Sequence, residues 1–163
     1  MEPEVHIVER YMQFVKKCLT MTNIMLGGGK ELDILAYNPR TSKKYHIEVR
    51  VATGKGFNLR MKDTQTKDGR KHRRGMDTLN EIKFIHPIVT NKVTKIFGSS
   101  DYKKVLVVWD MEDKTIIEQA KNVYDIELWK ISDILNDMLN KIGTKPYRDD
   151  ALRIIQLIAK MDS

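Results

Sequence analysis

The stretch that decides the fold is Glu31–Val51, which reads ELDILAYNPRTSKKYHIEVRV. Two segments rich in apolar and β-branched residues, Glu31–Tyr37 and Lys44–Val51, flank the sequence Asn-Pro-Arg-Thr-Ser. Two such runs joined by a short, turn-rich linker predict a pair of antiparallel strands. Within the linker, Pro39 has a fixed φ and the Asn38 side chain can bond to nearby backbone, so the predicted turn has a physical cause.

Side chains alternate between the two faces of a strand. The apolar face of the second strand is expected to meet the core and consists of Tyr45, Ile47, Val49 and Val51. Its other face carries His46, Glu48 and Arg50, the last two about 7 Å apart. The apolar face of the first strand is predicted to be Leu32, Ile34 and Ala36. Glu31 and Asp33 then face the other way, so the hairpin can bring Asp33 beside Glu48.

Two carboxylates held side by side repel each other, and a divalent cation removes that cost. A small set of oxygen ligands that leaves room for water and phosphate is what Mg²⁺ prefers. Such a metal lowers the pKa of bound water and polarises a phosphoryl oxygen, and a neighbouring cation can stabilise the developing charge. Asp33, Glu48 and Arg50 therefore suit phosphodiester hydrolysis. Their spacing also fits a plain cross-strand ion pair on a solvated sheet face.

The rest of the chain alternates between helical and strand patterns. Helices are predicted from Pro3 to about Thr22, over Met76–Phe97 with a break at Pro87, over Thr115–Tyr124, over Ser132–Ile142 and at about Arg148–Met161. Buried strands are predicted at Lys104–Asp110 and Ile126–Lys130. Ser132 is the expected helix cap, and a basic loop is expected at about 54–75. This order predicts an α/β sandwich around a mixed sheet, as one domain over residues 1–163.

The positive charge is concentrated in one segment. The net charge of the chain is +7, yet residues 40–74 hold 12 basic against 3 acidic side chains, or +9, and the rest carries −2. Such asymmetry favours a polyanion partner, because phosphates neutralised by the protein release condensed counterions. The alternative is a lysine-rich, soluble surface with a flexible loop.

Several classes of protein are excluded or disfavoured. The single cysteine, Cys18, allows neither an intrachain disulfide nor a zinc cluster of thiolates, and it is expected to pack in the core. Four scattered histidines give no zinc spacing. No apolar run approaches the ~20 residues of a membrane span, and no signal peptide is evident. A cytoplasmic or nucleoid-associated location is therefore expected.

The glycine-rich turn, the ELDILAY segment with Asp33, the hairpin and the HIEVRV segment with Glu48 resemble the PD-(D/E)XK nuclease superfamily. This superfamily includes restriction endonucleases, Holliday-junction resolvases and Mrr-like enzymes. The resemblance covers roughly Glu2 to Asn140 and implies a restriction-endonuclease-like αβββαβ core. That core would be a mixed sheet flanked by helices, here with extra C-terminal helices.

The resemblance also implies roles for individual residues. Asp33 and Glu48 correspond to the metal-ligating carboxylates, the carbonyl of Val49 completes such a site, and Glu9 on the first helix is an additional candidate ligand. The implied cofactor is Mg²⁺ or Mn²⁺. The family pattern ends in Lys where this chain has Arg50. Arginine binds phosphate well but cannot readily give up a proton, so Arg50 suits charge stabilisation better than activation of water.

The expected partner is DNA, duplex or branched, held through its phosphates. The candidate contacts are basic residues around and after the hairpin: Arg40, Lys43, Lys44, Lys55, Arg60, Lys62, Lys67, Arg70, Lys71, Arg73 and Arg74. Few aromatic residues accompany them, so stacking on single strands is not the expected mode. The helix after Pro146 is a candidate dimer contact. His46 is expected to be a hydrogen-bonded neighbour of the site.

The sequence therefore predicts a metal-dependent DNA endonuclease with Asp33, Glu48 and Arg50 as its catalytic residues. A second hypothesis is a nuclease-like domain or subunit that binds DNA without cutting it, because Arg50 replaces the family lysine.

Overall fold

The computed structural model describes residues 2–51, 58–65, 69, 71–72, 75–111 and 113–161, and at residues 58, 64–65 and 71–72 it describes only the backbone. The helices are α1 Pro3–Phe14, α2 Met76–Leu79, α3 Pro87–Phe97, α4 Thr115–Tyr124, α5 Ile131–Lys141 and α6 Asp150–Met161, and a π-helical segment covers Asn80–Phe84. The strands are β1 Leu19–Gly27, β2 Lys30–Asn38, β3 Lys43–Arg50, β4 Asn58–Leu59, β5 Thr64–Gln65, β6 Lys71–His72, β7 Lys103–Val108, β8 Asp110–Met111 and β9 Ile126–Lys130.

The main sheet is mixed and has five strands in the order β1-β2-β3-β7-β9. The pairs β1–β2 and β2–β3 are antiparallel, whereas β3–β7 and β7–β9 are parallel. The parallel pairs follow from the connections, because α2–α3 link β3 to β7 and α4 links β7 to β9. The carboxyl ends of β3, β7 and β9 therefore meet at one edge of the sheet.

Helices cover both faces of this sheet. On one face, α1, α5 and α6 pack on a core that includes Ile34, Ile47 and Val105. On the other face, α2, the π-helical segment and α4 pack on Leu106, while α3 packs on Leu35. The three layers confirm the predicted α/β sandwich around a mixed sheet. Within the described part of the chain, no helix has the length and apolar character needed to cross a membrane.

The predicted hairpin is confirmed. Strands β2 and β3 pair with Ile34 opposite Ile47, and the Asn38 Oδ1 atom accepts the backbone N–H groups of Arg40 and Thr41. In the preceding hairpin, Gly28 and Gly29 have φ values of 60° and 72°. Positive φ at both turn positions is the two-residue geometry that suits the twist of paired strands, and glycine adopts it without strain.

The predicted first helix is wrong beyond Phe14. Lys17 has φ 57°, which no α-helix accommodates, and Leu19 begins β1 with its side chain exposed. The apolar residues Val15 and Leu19 happened to continue the three- and four-residue spacing of α1. Residues 19–22 do alternate between apolar and polar, but the apolar Leu19 and Met21 are the exposed ones, and four residues of alternation are too few to outweigh the helical spacing.

Other corrections are local. The expected basic loop contains the short strands β4, β5 and β6 where it is described. Ser132 lies inside α5 and does not cap it, because the helix begins at Ile131 after an extended Lys130. Leu32 packs with Leu35 under α3 and not with Ile34, since both faces of β2 are buried and either can take an apolar side chain. Cys18 is buried, as expected.

Candidate active site

Asp33 and Glu48 come together where β2 and β3 separate. Pairing of the two strands begins at the turn and ends at the Ile34–Ile47 pair. The next residues away from the turn are Asp33 on β2 and Glu48 on β3. There the Val49 N–H donates to the Asp33 Oδ2 atom at 2.7 Å. Asp33 is 3% exposed and Glu48 is fully buried. The side-chain bond thus takes the place of a backbone bond and holds the two carboxylates side by side.

Arg50 spans both carboxylates at the end of β3. Its Nη1 atom donates to the Val49 carbonyl at 2.7 Å and lies 3.4 Å from Asp33 Oδ2. Its Nη2 atom lies 3.7 Å from Glu48 Oε2. The Arg50 side chain is 31% exposed. Arg50 can therefore reach an anion that enters from solvent without moving its backbone.

Lys83 is a second cation at the carboxylates, and sequence reasoning missed it. Its Nζ atom lies 2.7 Å from Glu48 Oε2 and 4.0 Å from Asp33 Oδ1, and it donates to the Glu31 carbonyl at 3.2 Å. Lys83 belongs to the π-helical segment, a wider turn that often occurs at functional sites. Nothing local in the sequence marks this lysine, because tertiary packing alone brings it to the hairpin.

His46 forms a hydrogen bond with Glu48 in the interior of the protein. Its Nε2 atom lies 3.1 Å from Glu48 Oε1, and the ring is fully buried. The ring centroid lies 4.9 Å from that of Phe84 and 6.2 Å from that of Tyr102. The interpretation of His46 as a hydrogen-bonded neighbour of the site is confirmed. Packing and this contact together fix the orientation of the Glu48 carboxylate.

The two carboxylates have opposite electrostatic character. Burial and the adjacent Glu48 charge raise the pKa of Asp33 from 3.8 to about 6, despite the Val49 N–H and the cations Arg50 and Lys83. Burial alone would raise the pKa of Glu48, but its contacts with His46 and Lys83 outweigh burial and hold the pKa below its ordinary value. The surroundings therefore stabilise the ionised form of Glu48 and destabilise the ionised form of Asp33.

The donor set fits a hard divalent cation. In the part of the chain that the structure describes, no three His, Cys, Asp or Glu side chains converge on one point. The protein instead offers two carboxylates and the Val49 carbonyl, and Mg²⁺ commonly takes few protein ligands and keeps several waters. The raised pKa of Asp33 shows that its ionised form is destabilised beside Glu48, and a bound divalent cation would remove this destabilisation. Its binding would require Arg50 to leave the Val49 carbonyl and Lys83 to leave Glu48 Oε2.

Glu9 does not lie at this site, contrary to the expectation from the resemblance. Its Oε1 atom accepts from Thr20 Oγ1 at 3.1 Å and from Gln13 Nε2 at 3.3 Å. Helix α1 packs on the sheet face opposite Glu48, and this packing directs Glu9 toward β1. The acidic residue of this region that does line the cleft is Glu2, just before α1.

The cleft above the carboxylates has a volume of about 350 Å³ and opens to solvent. Asp33 and Glu31 line it together with the cations Lys30, Arg50 and Lys83. With Glu2, three acidic and three basic side chains line the cleft, so its wall carries no net charge. Arg50 and Lys83 are the cations next to Asp33 that a phosphate diester would meet there.

The basic residues predicted to contact DNA divide into three groups. Arg40, Lys43 and Lys44 lie at the start of β3, roughly 20 Å from Arg50 at its end, and Lys44 donates to the Phe97 carbonyl. Arg60 and Lys62 precede α2, where the Arg60 carbonyl accepts the Met76 N–H at 2.8 Å. Lys71 is described by its backbone alone. Five of the predicted contacts lie outside the described residues: Lys55, Lys67, Arg70, Arg73 and Arg74.

No protein-family model matches the chain, and no curated protein matches it. A crystal structure described as a protein of unknown function, AF1548, matches it with a TM-score of 0.50 and 15% sequence identity. The match covers 97% of this chain and 90% of that one. At such low identity the likeness shows the fold alone. The predicted fold class, an α/β fold with a mixed sheet flanked by helices, is confirmed by the five-strand order and the helix layers of this chain, which are consistent with a restriction-endonuclease-like core.

Proposed function

We propose that this protein is a metal-dependent DNA endonuclease that hydrolyses phosphodiester bonds in the cleft above Asp33 and Glu48. The observation that supports the proposal is a buried pair of carboxylates with opposite pKa shifts, that of Glu48 lowered and that of Asp33 raised. Lys83 lies 2.7 Å from the Glu48 carboxylate. Holding Asp33 beside Glu48 in an ion-pair network weakens the fold, and functional sites are where such costs are retained.

Each residue has a distinct task in this proposal. Asp33, Glu48 and the Val49 carbonyl would hold Mg²⁺ or Mn²⁺, which when bound lowers the pKa of water and polarises the phosphoryl oxygen. Arg50, the exposed cation, binds a non-bridging phosphate oxygen through its fork of N–H donors. His46 keeps the Glu48 carboxylate in one orientation.

Lys83 can supply the proton transfer for which Arg50 is poorly suited. Its ammonium group can hold the attacking water. After losing one proton to solvent, its neutral amine can accept the proton that the attacking water gives up, which a guanidinium cannot readily do. Its Nζ atom is within reach of both carboxylates, although it comes from a different segment of the chain. The proposal therefore assigns phosphate binding to Arg50 and the handling of water to Lys83.

One observation favours a second candidate function, a nuclease-like domain that binds nucleic acid without cutting it. Two carboxylates, Asp33 and Glu48, face two cations, Arg50 and Lys83, so the cluster is neutral as it stands. A neutral cluster can be maintained as a structural ion-pair network. Cutting and binding must therefore be measured separately.

The activity is tested with supercoiled, linear and four-way-junction DNA, and with RNA, each in Mg²⁺, Mn²⁺ or EDTA. We expect cutting of at least one DNA form that EDTA abolishes. Glu9→Gln is the matched control, because the structure places this carboxylate away from the cleft, and we expect it to cut at the wild-type rate within about twofold. Binding without cutting under every condition supports the second candidate, and loss of cutting in Glu9→Gln contradicts the assignment of ligands.

DNA binding is expected to weaken steeply with salt. If about six phosphates are contacted, the affinity falls roughly 10³-fold between 50 and 200 mM salt. Replacing Arg70, Lys71, Arg73 and Arg74 together with Gln should reduce the salt slope by about one for each lost contact. Replacing Arg40 and Lys43, at the far end of β3, should leave the slope almost unchanged. Fluorescence anisotropy of a labelled duplex measures both, and equal effects of the two sets would contradict the proposal that residues 70–74 supply the phosphate contacts.

A further inference from the structure

Helix α6 is apolar on two sides. Its inner side, formed by Ala151, Leu152 and Ile155, is buried, with Leu152 and Ile155 in the core shared with α1 and α5. Its outer side carries four large apolar side chains that are exposed: Ile154 at 58%, Leu157 at 49%, Ile158 at 46% and Met161 at 83%. They follow the spacing i, i+3, i+4, i+7 and so form one continuous stripe along the helix. We call this set the outer stripe.

We propose that the outer stripe is the interface with a second copy of this chain, in an antiparallel helix pair about a twofold axis. The intervals of three, one and three residues read the same in both directions. An antiparallel twofold therefore sets Leu157 opposite Ile158 of the second copy, and Ile154 opposite Met161 of the second copy. Self-complementarity of this kind is what a twofold interface requires.

The charges at the helix ends favour the antiparallel arrangement. Asp150 lies in the first turn of α6 and Lys160 in the last, and both are exposed. Antiparallel pairing brings the acidic end of each helix toward the basic end of the other and opposes their dipoles. Parallel pairing would place like charges together. Arg153, on the same flank as Lys160, donates to Gln156 Oε1 within its own chain at 2.6 Å.

A shallow apolar groove beside the outer stripe enlarges the contact. It lies between α5 and α6, has a volume of about 250 Å³, and is lined by Leu135, Leu139, Ile155 and Ile158. Met161 of a second copy can fill it, because its unbranched side chain adapts to irregular gaps. A contact formed by one helix face and this groove is expected to belong to the small, reversible class of interfaces. We therefore expect a dissociation constant on the order of micromolar.

The test is sedimentation equilibrium of the full chain from about 1 to 200 µM, a range that brackets such a dissociation constant. The apparent mass of the wild type should rise from 19.0 kDa toward twice that value. Val123→Glu is the matched control, because it changes an equally exposed apolar residue on α4, and it should associate like the wild type. A wild type that stays monomeric throughout overturns the proposal.

Two variants test the orientation. Leu157→Glu and Ile158→Lys should each weaken self-association at least 10-fold, with circular dichroism spectra unchanged. Mixed in equal amounts, they should form a heterodimer, because the antiparallel twofold places position 157 of one copy against position 158 of the other. Self-association of Leu157→Glu at the wild-type level, or failure of the mixture to associate, contradicts the proposed pairing. No residue of the cleft takes part, so the result is independent of the proposed nuclease activity.

Discussion

Lys83→Met is expected to lower the rate of DNA cleavage by about 100-fold or more, which is the usual contribution of a group that orients or activates water. Arg50→Met is expected to reduce cleavage less and to weaken substrate binding more. The reason is geometric. Lys83 Nζ lies 2.7 Å from the Glu48 carboxylate, whereas Arg50 is the more exposed cation and binds the Val49 carbonyl. Single-turnover rates with saturating enzyme separate the chemical step from binding.

A suppressor variant makes this prediction sharper. In the double variant Lys83→Met with Arg50→Lys, a lysine returns to the strand position that the resembling nucleases use. It can release a proton where Arg50 cannot, so we expect it to recover at least about tenfold of the lost rate. If Lys83→Met cuts as fast as the wild type, Lys83 serves only to neutralise Glu48. If Arg50→Met is the slower variant at saturation, the two assignments must be exchanged.

Asp33→Asn and Glu48→Gln are expected to change stability in opposite directions at pH 7.5, although both remove a carboxylate from the cleft. A shift of the Asp33 pKa from 3.8 to about 6 corresponds to a penalty on the order of 2–3 kcal/mol for the ionised form. Asparagine removes that charge and still accepts the Val49 N–H. We therefore expect Asp33→Asn to raise the free energy of unfolding by up to that amount.

Glu48→Gln has the opposite effect because the Glu48 anion is stabilised by Lys83 and His46. Removing one partner of a buried ion pair leaves the other uncompensated and costs about 3–5 kcal/mol. Urea unfolding curves for the two variants and the wild type measure both changes. Similar destabilisation by the two variants would show that Asp33 is held as a favourable ion pair, in conflict with its raised pKa.

The pH dependence of these effects follows from the sign of each shift. The Asp33 pKa is raised, so the folded state gains stability from its protonation below pH 3.8 and loses that gain as pH rises through about 6. The advantage of Asp33→Asn should therefore shrink as pH falls from 7.5 toward 4. The Glu48 pKa is lowered from 4.5, so the stability that its anion contributes is present above that value and is lost as pH falls through the folded pKa.

Those parts of the site that depend on one hairpin could be predicted from the sequence. Alternation along β3 places Glu48 and Arg50 on one face, and a turn of hairpin length brings β2 alongside, so Asp33 meets Glu48 through local geometry alone. The strand β1 was missed because Leu19 continued a helical spacing by coincidence. β1 is a nine-residue edge strand whose alternation of apolar and polar residues covers only residues 19–22, so it does not outweigh that spacing.

Contacts between distant segments could not be predicted. Lys83 lies in a segment that the sequence correctly identifies as helical, but its direction depends on the π-helical turn and on how that turn packs over β3. Glu9 was wrongly placed for the same reason, because the face that α1 presents to the sheet is decided by core packing and not by its sequence spacing to Asp33. The chemical character of each residue could be inferred from the sequence, whereas contacts between residues of distant segments could not.

A metal-dependent cutting site at Asp33 and Glu48 must lose its activity when the Glu48 carboxylate is removed. The measurement is the initial rate of nicking of supercoiled DNA in Mg²⁺ or Mn²⁺ by the wild type and by Glu48→Gln, purified side by side, with EDTA as the blank. We expect metal-dependent nicking by the wild type and a rate lowered by at least about 10³-fold in Glu48→Gln. Equal nicking by both proteins, or none by the wild type in either metal, would show that these carboxylates do not form a cutting site.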